Sequence, residues 1–383
     1  MFKTSLVIIG TALAALLWYA SPIFKPFPKP TGPFSVGTTS MEFTDSSRRE
    51  IYSENPNENR TLVVRFYYPA LNTPESKKYP FLGKKMPYFQ QYMTSQYHLT
   101  ATTGKLLFGN ITTHAYENPP LANAQAAYPV ILFSHGGFGF PSDMYSVILE
   151  NLASHGYIVA AIDHPYFNGL TLYANGKLVT DQKLSNQFST MTQHNQKAFL
   201  TTIVETFKSD MKFLVHELIT LNEDQNNIFY HHFDLDRIGV MGHSAGGSTA
   251  IEFCRIDNRC KAAVDLDGWY DHVIGQEPIN KPLLLIFAEK TIEVSEPNAE
   301  YLKRKELTRE QYFEREINSK EHREKLCSVP TCSMLVIPRA THGDFDNHIF
   351  LKWPLREWNE VEPYTTIGTL NTHILNFFDR YLK

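Results

Sequence analysis

The architecture of this chain turns on the stretch from Arg237 to Cys254, RIGVMGHSAGGSTAIEFC. An apolar, β-branched run (Arg237 to Met241) leads through Gly242, His243, Ser244, Ala245, Gly246 and Gly247 into a helix-like run from Ser248 to Cys254. G-x-S-x-G between a strand and a helix predicts a nucleophile elbow, a tight strained turn that lifts the serine off the strand end. The glycines remove side chains that would clash there. The helix N-terminus behind Ser244 offers its positive dipole to an alkoxide or an oxyanion.

Further runs of the same kind lie on both sides: Thr61 to Tyr67, Pro129 to Phe133, Tyr157 to Ile162, Ala262 to Leu266, Leu283 to Phe287 and Met334 to Ile337. Their near-continuous apolar character predicts strands buried on both faces, as in a parallel sheet. Helical stretches separate them. Asp143 to His155 stops at Gly156, and apolar residues at 200, 204, 207, 211, 214, 218 and 221 mark one face of a longer helix. Alternating strands and helices predict an α/β fold with a mostly parallel, doubly wound sheet. With 383 residues and 43% apolar content, one large domain over residues 34–383 with insertions is the simplest division. Asn298 to Leu326, dense in Glu, Lys and Arg, reads as a solvated helical insertion, and Asn168 to Ser189 as a loop or lid. A net charge of -4 offers no basic field to phosphate backbones, which argues against nucleic-acid binding.

A serine nucleophile needs an oxyanion hole, a base and an acid. The glycine-rich loop Ser134-His135-Gly136-Gly137-Phe138-Gly139 ends an earlier strand, the place from which such folds donate one backbone N–H. Gly137, with Gly136 as rival, and Ala245 are therefore the expected oxyanion donors, and His135 a brace for the loop. His342, in a polar loop past the last core strand, is the expected base, with His348 as rival. Asp267 and Glu289 each follow a core strand and could each orient the imidazole. Asp265 and Asp271 are weaker candidates. Two N–H groups and a helix end to meet the oxyanion leave no role for a metal Lewis acid, so no metal or other cofactor is expected, and neither D-x-D-x-D-G nor H-E-x-x-H occurs to speak against this.

Before the fold, an uncharged run from Ser5 to Phe24 follows Lys3, the layout of a secretory signal or membrane anchor over residues 1–24. Trp18 suits a cleavage site poorly and favours the anchor. Residues 25–33, with prolines at 26, 28, 30 and 33, read as a tether. Either way the body is expected to be exported, and the spacing of four cysteines suits two local disulfides, Cys254–Cys260 and Cys327–Cys332.

Gly-His-Ser-Ala-Gly-Gly (242–247), Leu266-Asp267-Gly268-Trp269 and His342-Gly343-Asp344-Phe345 resemble motifs of the plasma-type platelet-activating-factor acetylhydrolases, α/β-hydrolases in fold. So do Tyr128 to Gly136, Leu152 to His164, Thr31 to Gly37 and Arg65 to Pro69, in the same order along the chain. The resemblance implies metal-independent hydrolysis of short or oxidised sn-2 acyl chains from phospholipids at a membrane surface, with Asp267 rather than Glu289 as the acid. Ala245 departs from the bulky aromatic expected there, which predicts a wider acyl pocket. A general carboxylesterase or polyester hydrolase is the alternative. A non-catalytic module on this scaffold is disfavoured because serine, acid, base and oxyanion loop occur in order. Oligomeric state is not legible.

Overall fold

The computed structural model describes residues 26–71, 75–96, 100, 102, 111–139, 141–269, 274–275, 277–350 and 361–383. The expected signal or anchor over residues 1–24 and the candidate Asp271 lie outside them. Among the described residues no helix is long and apolar enough to cross a membrane.

Ten strands form one sheet: β1 (Ser35–Arg49), β2 (Asn59–Ala70), β3 (Lys78–Pro80), β4 (Thr112–Glu117), β5 (Tyr128–Ser134), β6 (Ile158–Asp163), β9 (Phe233–His243), β10 (Cys260–Leu266), β11 (Leu283–Ala288) and β12 (Cys332–Ile337). Their spatial order is β12-β11-β10-β9-β5-β6-β2-β1-β4-β3. From β6 to β12 every pairing is parallel, with crossovers between strands. A short hairpin, β7 (Thr171–Leu172) with β8 (Leu178–Val179), stands apart.

The parallel strands are apolar on both faces because helices cover both. Ile131 and Phe133 of β5 pack on one side with α2 (Ser146–Ser154) and the C-terminal α9 (Pro363–Leu382), against Ile148, Leu152, Ile374 and Phe378. Val130 and Leu132, one residue out of phase, pack on the other side with α4 (Gln193–Glu223) and α5 (Ala245–Ile256). The α4 stripe is buried at Val204, Phe207, Met211, Leu214 and Leu218, as its period requires. Each such apolar side chain contributes about 1.5–3 kcal/mol on burial. The disulfides Cys254–Cys260 and Cys327–Cys332 each close a helix-to-strand turn, at the starts of β10 and β12. The remaining helices are α1 (Met86–Gln96), α3 (Gln182–Thr190), α6 (Glu289–Ile292), α7 (Ala299–Lys305) and α8 (Arg309–Leu326). Of these, α7 and α8 make up the charged insertion and α3 belongs to the stretch expected as a lid.

Three expectations need correction. The run Thr61 to Tyr67 lies in β2, which is antiparallel to both β1 and β6. A short connection joins β1 to β2, and only an antiparallel pair can be closed that way. The run Met334 to Ile337 is an edge strand with Met334 and Val336 exposed, since β12 has a neighbour on one side only. The proline-rich stretch is docked rather than a free tether. Phe27 is buried against Phe81 and Phe350, and Thr31 and Gly32 bond to Asn151 and Ser154 of α2.

Chain order reverses between β5 and β9: from β5 the chain steps outward to β6, then crosses back to β9 on the other side of β5. A crevice opens at the carboxyl ends of strands at such a reversal. Ser134 and His243, the last residues of β5 and β9, both end there.

Glu150 of α2 gives the fold a pH dependence. Its carboxylate accepts the His114 N–H of β4 at 3.0 Å. Burial pushes the carboxyl up from 4.5 to about 7, against the pull of its bonds to His114 and Thr113. The folded state therefore prefers the protonated acid. That contribution is complete below the unfolded value of 4.5 and is lost as pH rises through about 7. Thermal melts at about pH 6 and about pH 8.5 should show a fall in Tm that Glu150→Gln reduces. An undiminished fall in the variant would acquit Glu150.

Candidate active site

Ser244 sits at the end of β9 with φ 56° and ψ -121°, and the next residue, Ala245, opens α5. That left-handed conformation is costly for a residue with a Cβ and persists only where its surroundings enforce it. Two glycines enforce it here. A Cβ on Gly242 would lie 2.2 Å from the Gly246 backbone, and one on Gly246 would lie 2.2 Å from the Ser134 carbonyl oxygen. The turn thus closes on itself, and α5 packs directly against the loop that leaves β5.

That loop passes over the serine. A Cβ on Gly136 would stand 3.3 Å from Ser244 Cβ, and one on Gly137 3.4 Å from Ala245 Cβ. The Gly136 N–H points at the Tyr145 hydroxyl at 3.5 Å, and the Phe138 N–H donates to Phe167 O at 2.7 Å. Gly137 lies between these two committed groups, beside the N-terminus of α5.

His342 opens a short 3-10 turn, His342–Phe345, after β12. Thr341 and Asp344 cap the turn reciprocally, with Thr341 N and Oγ1 each 2.8 Å from Asp344 Oδ2. The His342 ring meets Asp267 at Nδ1···Oδ2 2.6 Å. Asp267 is fully buried and, like Ser244, has a left-handed φ of 54°. Its carboxylate also accepts Ala288 N–H at 2.9 Å and Thr291 Oγ1–H at 2.7 Å. An ionised Asp267 can only accept, so His342 Nδ1 carries the proton and Nε2 is left with a lone pair. The residue before the serine, His243, lies with its ring centroid 4.6 Å from that of His342.

The rivals lie elsewhere or do other things. Glu289 accepts the Arg339 N–H at 2.8 Å and steadies the loop before His342. Asp265 is buried within β10, against Gly247 and Gly268. His348 belongs to the following 3-10 turn, its N–H bonded to Asp346. His135 is a brace, as expected: its Nε2 accepts the His164 N–H at 2.9 Å. Burial holds this imidazole neutral, down to about 3, helped by His164.

Behind the loop lies a buried polar relay that the sequence did not suggest. Ser134 Oγ is 2.9 Å from His164 Nε2, and His164 Nδ1 is 2.8 Å from Asp210 Oδ2. Arg60 grips Asp210 with two bonds of 2.7 and 2.6 Å and reaches Glu50 at 2.6 Å. Burial alone would raise the Asp210 carboxyl; Arg60 outweighs it and holds the acid well below the carboxylate range. Phe207 of α4 stacks on His164, ring centroids 3.7 Å apart. The residues of this relay are scattered from 60 to 210, and no spacing links them.

The Ala245 methyl is fully buried in a cluster with Phe167, Leu184, Ile203 and Phe207. Phe138, Phe188 and Phe199 extend this aromatic wall, with Phe138 and Phe199 stacked in parallel.

A serine elbow at a strand-order reversal, a glycine loop above it and a His–Asp pair on the neighbouring loops are features of an α/β-hydrolase. The likeness to a ferulic acid esterase from Streptomyces cinnamoneus shows the same fold, with a TM-score of 0.65 at 23% identity over 94% of this chain and 93% of that one. The family profile described as "Platelet-activating factor acetylhydrolase, isoform II" matches residues 20–351. The chain belongs to that family. It is 29% identical over 302 residues to the platelet-activating factor acetylhydrolase of Canis lupus familiaris, covering 73% of this chain and 63% of that protein. The Gallus gallus acetylhydrolase is 24% identical over 93% of this chain and 83% of its own length. A probable 1-alkyl-2-acetylglycerophosphocholine esterase of Arthroderma benhamiae is 28% identical over 70% and 67%. The chain thus matches somewhat less than two thirds of the canine relative's length.

The backbone approach at Gly246 yields a structural prediction. Gly246→Ala places a methyl against a main-chain carbonyl that cannot step aside, and overpacking of this kind costs about 1–3 kcal/mol. Calorimetry should show a clear fall in Tm. A variant as stable as the parent would mean that loop and helix can part without cost.

Proposed function

We propose that this protein is a serine esterase that removes short or oxidised sn-2 acyl chains from phospholipids through Ser244, His342 and Asp267. The observation that carries this reading is the 2.6 Å His342–Asp267 pair on the loops flanking the strained Ser244 elbow. His342 Nε2 takes the Ser244 hydroxyl proton as Oγ attacks the ester carbonyl. The oxyanion that forms is met by the N–H groups of Gly137 and Ala245 and by the α5 dipole. Collapse of the tetrahedral species breaks the ester bond, and the departing lysophospholipid oxygen takes the proton from His342. Water then attacks the acyl-enzyme, with His342 again acting as base, and releases the fatty acid. Asp267 fixes the ring tautomer and stabilises the imidazolium.

Phospholipid as the substrate class is supported by the family and by the printed names of its members, an acetylhydrolase and an acetylglycerophosphocholine esterase among them. The apolar N-terminal run and the two disulfides support an exported protein working at a lipid surface.

A fluorophosphonate should add once to the intact protein and not to Ser244→Ala, read by mass spectrometry. Initial rates on phosphatidylcholines from sn-2 acetyl to palmitoyl should fall with chain length and be unchanged by EDTA. Activity on palmitoyl but none on acetyl substrate would leave a general lipase instead.

Asp267→Asn should cost about 10⁴ in kcat while the protein stays folded, because the imidazole loses its preferred tautomer. Glu289→Gln should keep most of the activity, since its partner is the Arg339 backbone. The reverse pattern in steady-state kinetics would exchange the two acids.

A further inference from the structure

His243 occupies the variable position of the elbow motif, which the motif itself leaves unspecified. It is buried, and both of its ring nitrogens are engaged. Nε2 lies 3.0 Å from the carbonyl oxygen of His342, and Nδ1 lies 2.8 Å from the Tyr145 hydroxyl. The directions of these bonds follow from one fact: a carbonyl can only accept. Nε2 must therefore carry the hydrogen. Burial, reinforced by the neighbouring His342, holds the His243 imidazolium well below its ordinary range, so the ring is neutral and has a single proton. Nδ1 is then an acceptor, and the Tyr145 O–H donates to it. The Tyr145 oxygen in turn faces the Gly136 N–H at 3.5 Å. Every donor thus points the same way along Gly136, Tyr145, His243 and the His342 main chain.

We infer that Tyr145 and His243 are positioning residues that hold the oxyanion loop and the main chain of the catalytic base in one fixed relation. The inference rests on the role given to Ser244 and His342 under the proposed function. Asp267 grips the His342 ring, but a ring gripped at Nδ1 can still swing with its backbone. The bond from His243 supplies the second hold. The same relay reaches Gly136, one residue before the Gly137 donor, and His243 itself adjoins Ser244. Phe345 packs on the His243 ring, centroids 5.7 Å apart and 27° from parallel, and prevents it from tilting out of line. Neither residue is placed to exchange protons with substrate. Their effect is geometric, and misplacement of reacting groups by up to an ångström costs as much as about 100-fold in rate.

The test uses the full chain with p-nitrophenyl acetate, each rate divided by the sites titrated with a fluorophosphonate. Tyr145→Phe and His243→Leu should each lower kcat about 10- to 100-fold with KM within about twofold. His243→Gln, whose side-chain amide can still donate to the His342 carbonyl, should recover a large part of the His243→Leu loss. Full kcat per titrated site in both Tyr145→Phe and His243→Leu overturns the proposal. So does a rise in KM alone, which would make these residues substrate contacts. Equal losses in His243→Leu and His243→Gln overturn it as well. A second measurement needs no activity and no folded variant of low stability. In the ¹⁵N-histidine-labelled wild type, the His243 imidazole should be the neutral Nε2–H tautomer at neutral pH. An Nδ1–H tautomer or an imidazolium overturns the relay. Absence of fluorophosphonate labelling at wild-type Ser244 would instead defeat the functional reading, with the tautomer still readable.

Discussion

Two backbones touch at Gly246, and the site depends on that contact. Without a side chain there, the first turn of α5 lies directly against the carbonyls of Ser134 and His135. The contact sets the α5 N-terminus, the Ser244 elbow and the glycine loop after β5 around one small volume. A helix end carries unsatisfied N–H groups and a partial positive charge. The α5 N-terminus lies beside Gly137, whose neighbours Gly136 and Phe138 turn their N–H groups to Tyr145 and Phe167. The rest of the sheet serves to keep β5 and β9 side by side, so that their ends can meet there.

Strain in the turns is held by packing and by charge. Ser244, Asp267 and Phe138 all have left-handed φ values, although none is glycine. Such conformations survive only where neighbours leave no alternative. On the solvent side the His342–Asp267 pair is tied into β11 through Ala288 and into α6 through Thr291. On the interior side the loop after β5 is backed by Ser134, His164, Asp210 and Arg60. Buried ions are costly unless they are paired and fully hydrogen-bonded, and removing one partner leaves the other stranded. Arg60 with two carboxylates, and Asp210 with two guanidinium groups and an imidazole, meet that condition. This interior relay has the atom order of a catalytic triad, yet it lies wholly buried, with Arg60 drawing charge from its acid. Its place in the fold is that of a support for the loop.

Much of this was legible beforehand, and the misses share a cause. The parallel strands showed as apolar runs because both faces are covered, and the α4 stripe showed through its period. β1 leaves no such mark: it is long but rich in Ser and Thr, half exposed, and buries apolar side chains mainly at Val36 and Phe43. β2 shows as an apolar run but not its antiparallel direction, since apolar content does not record which neighbour a strand pairs with. The proline-rich segment looked like a tether because prolines suit one, but Phe27 found a place between Phe81 and Phe350. Nothing near Ala245 in the chain announces that its methyl shares a buried cluster with Ile203, which comes from a helix more than forty residues away.

Local patterns in the amino-acid chain encode its elements and the parts from which the proposed chemistry is built. These are the elbow, the glycine loop, the order of serine, acid and base, the two short disulfides and the class of sheet. The elbow, the glycine loop and the disulfides are each written in residues within a few positions of one another, where backbone geometry follows directly from residue type, and the order of the rest is read along the chain. Folding alone settles which donors surround Asp267, what His243 holds, what backs the glycine loop after β5 and what covers Ala245. Those contacts join residues from Arg60 to His342 whose separations in the chain follow no period. They exist because the sheet stacks distant segments at one edge, and the requirement that every buried polar group find a partner then fixes the pairs.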